Sequence, residues 1–144
     1  MASLSARIRC LLGSLFILAL AAAIFVLSGL YNVGADIPHL SATHTVLETL
    51  RDRSIDSRSR RIEPPDLSDS ARIEQGSGNY NAMCTGCHLA PGMSATELQK
   101  GLYPTPPDLT RTMVDPARAF WVVKHGIKAS GMPAWGKSMA DEYI

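Results

Sequence analysis

The sequence is poor in cysteine: three in 144 residues, too few for a disulfide framework. Neither sign of charge prevails. The formal net charge of +1 excludes an overall electrostatic bias towards nucleic acid or an acidic partner. Charge is missing altogether from Cys10 to Leu30, a run of 21 residues rich in Leu, Ala, Ile, Phe and Val. Lys and Arg stay absent from Tyr31 to Leu50. No second C-x-x-C exists and no strand pattern flanks Cys84. The first absence counts against a structural zinc site, which needs four ligands and here could draw only on His125 or a carboxylate. The second counts against a thioredoxin-like redox pair, which needs a βαβ setting.

The uncharged run has a direct physical reading. About 20 apolar residues span a bilayer as a helix, whereas the apolar region of a signal peptide is usually about 7–15 residues. Its length favours a retained anchor. The competing reading is a cleaved signal, with Val33-Gly34-Ala35 as a weak small-residue cleavage site. Arg7 and Arg9 precede the run without an acid, and the basic end stays inside. Either reading exports the remainder of the chain. The expected location is a bacterial inner membrane, crossed once, with the bulk of the protein on the periplasmic side.

What is present is concentrated in Cys84-Thr85-Gly86-Cys87-His88. C-x-x-C-H is the attachment pattern of a c-type haem. Residues three apart on one helical turn share a face, so both sulfurs reach the two vinyl groups along one haem edge. His88 then projects its imidazole towards the iron. Zinc, a redox pair and coincidence are the rival readings. One covalent haem c would also help a small domain whose apolar burial alone is marginal.

Three segments follow along the chain: a start and anchor over residues 1–35, an exported amphipathic helix with a basic linker over 36–66, and a haem domain over 67–144. Thr45-x-x-Glu48 has capping-box spacing, and Ala42, Val46 and Leu50 recur every four residues, which predicts a short helix ending near Ser54. It has two places to lie, the membrane surface or the haem domain. Arg51, Arg53, Arg58, Arg60 and Arg61 form a basic cluster, read either as a solvated linker or as a site for anionic lipid or an acidic partner. Asp69 or Ser70 can cap a helix that carries Ile73, Gly76 and Tyr80 on one face. Gly76 there suggests a close helix crossing; the competing reading ends the helix at Gly76-Ser77-Gly78. Gly101 to Thr110 holds three prolines within four positions and must be a loop. Asp115-Pro116 opens a helix to about His125 with Gly126 as its stop, and Ala117, Phe120, Trp121 and Val123-Lys124 are its expected inward stripe. Ser138-x-x-Asp141 has the spacing of another capping box, opening a last helix.

A haem iron held by His88 needs a sixth ligand. Met132 sits in a glycine-flanked loop and precedes Pro133, which suits a segment folded against a flat ligand. Met/His ligation raises the reduction potential. The alternatives are a loop methionine that packs on the core, or His125 as ligand. Met93 follows His88 too closely to reach the opposite haem face. Met83, Met113 and Met139 read as packing residues, and His39 and His44 precede the domain.

With Met132-Pro133 placed 44 residues after His88, the chain resembles a class I c-type cytochrome over residues 67–144. It is most similar to the small cytochrome c domains that serve as subunits of terminal oxidases and alcohol dehydrogenases. The resemblance implies an all-α fold, thioether attachment at Cys84 and Cys87, and His88 and Met132 as axial ligands. It also implies that the carbonyl of Pro107, in Pro107-Asp108-Leu109, accepts a hydrogen bond from His88, with Leu109 beside the haem. Such domains close with a long helix across the N-terminal one. Only Ser138 to Ile144 is present here, so that helix is expected to be truncated.

Three functions remain distinguishable. A membrane-tethered electron carrier would serve redox protein partners, including a larger dehydrogenase or oxidase complex. If Met132 does not bind, an open iron would allow peroxidase-like chemistry or gas binding. A zinc-stabilised interaction module is the third.

Overall fold

The computed structural model describes residues 4–144, so the first three residues of the expected cytoplasmic start lie outside it. Two compact units result, residues 1–37 and 38–144. The first is dominated by helix α1, Leu4–Leu27, 24 residues without a buried side chain. At 1.5 Å per residue it is about 36 Å long, enough for a hydrocarbon core of about 30 Å. An 18-residue window of it has a mean hydropathy of 2.8, and among the described residues it alone is long and apolar enough to cross a membrane. That is consistent with a single-pass anchor. Gly29, with φ at +67°, turns the chain out of the helix.

The second unit holds helices α2 (Ser41–Ser59), α3 (Ser70–Met83), α4 (Thr85–His88), α5 (Glu97–Gly101) and α6 (Pro116–His125), then 3-10 turns at Trp135–Lys137 and Asp141–Tyr143. No strand occurs among the described residues, so the fold is all-α. Helix α2 runs five residues past Ser54 because tertiary packing extends it. Asp52, Ile55, Asp56 and Ser59 share one face. Ile55 and Ser59 are buried there, while the Arg118 guanidinium of α6 pairs with Asp56 and lies 3.8 Å from Asp52. Thr45 and Glu48 form no capping box. Thr45 is already inside the helix and donates its hydroxyl to the Ser41 carbonyl, and Glu48 pairs with Arg51 at 3.3 Å. Arg51, Arg53 and Arg58 are therefore helical residues rather than linker.

Asp69 caps α3 by accepting from the Ala71 N–H at 3.0 Å, and the helix continues through Gly76-Ser77-Gly78 to Met83. Gly76 is not a close crossing. A methyl group there would meet nothing within 4 Å, and Gly76 borders a cavity of about 120 Å³ with Val123, Met139 and Tyr143. Helix α6 starts and stops where local chemistry dictates: Asp115 accepts from the Arg118 N–H at 2.9 Å, Pro116 occupies the first turn and Gly126 ends it. None of its side chains is fully buried, and Lys124 turns outward to Asp141 at 2.6 Å. That pair takes Asp141 out of the anticipated capping box; Ser138 instead closes a 3-10 turn by donating to the Trp135 carbonyl. Met113 is fully exposed and packs on nothing.

Candidate functional site

Cys84 links α3 to α4, and its carbonyl accepts from the Cys87 and His88 N–H groups at 3.0 and 2.8 Å. One tight turn therefore carries both thiols and the imidazole, all half-buried. Burial, with Cys87 nearby, pushes the Cys84 thiol up. His88 Nδ1 lies 2.9 Å from the Pro107 carbonyl oxygen. A carbonyl can only accept, so Nδ1 carries the proton and Nε2 keeps its lone pair free for a metal. A second tie runs back, because the Leu109 N–H donates to the His88 carbonyl at 3.1 Å. Between them, Asp108 accepts from the Thr110 hydroxyl at 2.6 Å and its N–H at 2.9 Å. The Thr110 hydroxyl bond is the main reason the Asp108 carboxyl sits below its usual range. His88, Pro107 and Leu109 are thus one hydrogen-bonded cluster.

Local strain marks the same place. Leu89, directly after His88, is buried with φ 64° and ψ 171°, a region that non-glycine residues occupy at a cost of about 1–3 kcal/mol. The Tyr80 hydroxyl holds it there, reaching the Leu89 carbonyl at 2.7 Å and the His88 carbonyl at 3.2 Å. Desolvation, with Cys84 and Asp108 nearby, raises the Tyr80 phenol, so it remains a neutral donor. The residue pattern puts Tyr80 on a helix-crossing face and carries no local signature of this bond, which spans nine residues. Thr96, whose hydroxyl donates to the Gly86 carbonyl at 2.5 Å, is equally unmarked in the sequence. Tyr80→Phe should cost about 1 kcal/mol, measured as a lower urea midpoint with unchanged slope; an unaltered midpoint would show that Leu89 is held by other means.

Met132 lies in the loop after α6 and is half-buried. Its N–H donates to Ser130 Oγ at 3.1 Å, and its carbonyl accepts from the Ile127 N–H at 3.2 Å. The loop rests on the segment between α5 and Pro107: a side chain at Gly131 would run into Leu102 at 2.6 Å. His125 is exposed, its ring 4.9 Å from Trp121. Among the described residues no group of three or more His, Cys, Asp or Glu could hold a metal ion, which counts against zinc.

The donor set suits a haem. Two thiols, an oriented imidazole and a thioether are the chemistry that a covalent, six-coordinate haem c uses. The surroundings suit it too. Among the described residues Ile55 and Leu89 are the only buried hydrophobic ones and no large side chain is fully buried, so a flat apolar ring would complete the core. Residues 71–144, just over half of the chain, match the family described as cytochrome c oxidase, cbb3-type, subunit III.

The chain belongs to this family of c-type cytochromes. A c-type cytochrome domain transfers electrons, and its family implies haem c. The match starts one residue into α3 and leaves α1 and α2 of this c-type cytochrome outside it. No curated protein and no solved structure matches the chain.

Proposed function

We propose that this c-type cytochrome is a membrane-tethered single-electron carrier, with one haem c bound by thioethers at Cys84 and Cys87 and ligated by His88 and Met132. The observation that carries the reading is the 2.9 Å approach of His88 Nδ1 to the Pro107 carbonyl. It presents Nε2 to iron and raises the basicity of the ring. When bound, the haem supplies the one-electron couple. The chain's own residues do the rest. Cys84 and Cys87 would hold the group covalently, His88 and Met132 would supply its two protein ligands, and Pro107 would keep the imidazole oriented through its hydrogen bond.

With both His88 and Met132 as ligands, substrate would have no place on the metal, which favours electron transfer over peroxidase-like or gas-binding chemistry. Arg7 and Arg9 in the first turns of α1, ahead of its uncharged run, support export of the haem domain, to the periplasmic side of a bacterial inner membrane. The family's description makes a terminal oxidase a natural partner, and docking among redox partners is typically small and transient.

Optical spectra and denaturing haem stain of the purified full chain test this. One haem per chain that survives denaturation, low-spin spectra and a Met–iron charge-transfer band are expected. A high-spin ferric spectrum would remove Met132 from the ligand set, and haem lost on denaturation would remove the thioethers.

A further inference from the structure

A groove of about 720 Å³ in the second unit lies between α2, α6 and two loops, within the roughly 300–1,000 Å³ of small-molecule and cofactor sites. Its walls are informative. Tyr103 and Pro104 belong to the loop that ends on Pro107, the partner of His88. Ile127 to Ser130 belong to the loop that ends on Met132, and Ser130 itself accepts the Met132 N–H. A ring held between those two loops would have an edge towards this groove. Neither Cys84 nor Cys87 lines it, so it is not the thioether edge. In a haem, the two propionate carboxylates leave the ring on the side away from the vinyls.

Helix α2 presents a second stripe to the groove, Leu47, Leu50, Ser54 and Arg58, beside the face that packs on α6. Leu47 and Leu50 are 47% and 66% exposed there, so apolar surface from an element outside the family match faces the groove rather than another helix. The charges are unbalanced. Glu48 is the one acid in the wall, and it is already engaged by Arg51 at 3.3 Å and His44 at 3.5 Å. Arg51 also bonds Asp52 at 2.9 Å. His39, Tyr103 and His125 are the other titratable groups of the lining besides the cations. Arg58 and Lys128 remain. Arg58 donates only to Ser54 and Ser57, and neither cation has a carboxylate within ion-pair reach among the described residues.

We infer that α2 is part of the haem site: the groove receives the propionate edge, and Arg58 of α2 with Lys128 of the methionine loop pairs its two carboxylates. This rests on the haem reading above. The sequence's basic cluster then contributes a residue that sets the potential, because a cation beside the ring favours the electron-rich ferrous state and removing it favours the ferric.

Spectroelectrochemical titration of the haem-loaded full chain from pH 5 to 9 tests it, with Arg58→Gln, Lys128→Gln, Arg58→Lys, and Arg53→Gln as a control outside the groove. Haem content and the Met–iron band are read first, since they report on the ligand set; a parent chain without haem overturns both readings. With haem loaded, each Gln variant should lower the potential. The propionate-linked inflection in its pH profile should move up by about one pH unit, as expected when a carboxylate loses a neighbouring cation. Arg58→Lys should restore the parent profile and Arg53→Gln should keep it. A parent-like potential and inflection in both Gln variants would overturn the groove assignment and leave the ligand set standing, as would an equal shift in Arg53→Gln.

Discussion

Met132→Ala should lose the Met–iron charge-transfer band and lower the reduction potential by a sizeable part of the roughly 0.8 V that axial ligands command. A thioether is a soft, neutral donor that stabilises ferrous over ferric iron, so its removal favours the oxidised state. The opened position would turn the ferric spectrum high-spin and allow small exogenous ligands to bind. Structural damage should be modest, because the hydrogen bonds of this loop use the Met132 backbone and the Ser130 hydroxyl, not the thioether. The paired variant is His125→Ala. Its ring is exposed and rests on Trp121, so the band and the potential should stay as they are. A Met132→Ala protein with an unchanged potential, or a His125→Ala protein that loses the band, would reassign the ligand.

Elements with local causes were legible in the sequence. The cap, the first-turn proline and the stop of α6 all act within three or four residues, and Asp115, Pro116 and Gly126 take those roles in the structure. C-x-x-C-H is legible for the same reason, one helical turn long. Capping-box spacing misleads where a cation competes for the acid: Glu48 pairs with Arg51 in its own helix, and Asp141 with Lys124 of α6. The length of α2 was underestimated because its extra turn depends on Asp56 and Arg118, 62 residues apart. No periodicity within α2 announces that arginine. Gly76 shows the opposite failure. A glycine on an apolar face suggests close approach, yet nothing lies within 4 Å of the position where its side chain would begin.

Gly126 is where backbone geometry and ligand placement meet. Its φ of 65° and ψ of −174° fall in a region almost reserved for glycine, costing another residue about 1–3 kcal/mol. Space is the larger obstacle. A methyl group at Gly126 would sit 2.8 Å from the Met132 oxygen, the Pro133 carbonyl carbon and the Ala134 nitrogen. All three are backbone atoms, and no rotamer relieves them. The segment carrying Met132 has to move, and the Ile127–Met132 hydrogen bond that closes the loop has to lengthen or break. Gly126→Ala should therefore lower the melting temperature by well over the ~4–8 °C that about 1 kcal/mol shifts in a domain of this size, and weaken the Met–iron band in the folded protein. Gly92→Ala separates the two causes. Gly92 also has positive φ, 83°, but open space around it, so only backbone strain of about 1–2 kcal/mol applies and the band should persist. Equal melting shifts in the two variants, with the band intact in both, would show that Gly126 is needed for its φ alone and that the Met132 loop does not depend on it.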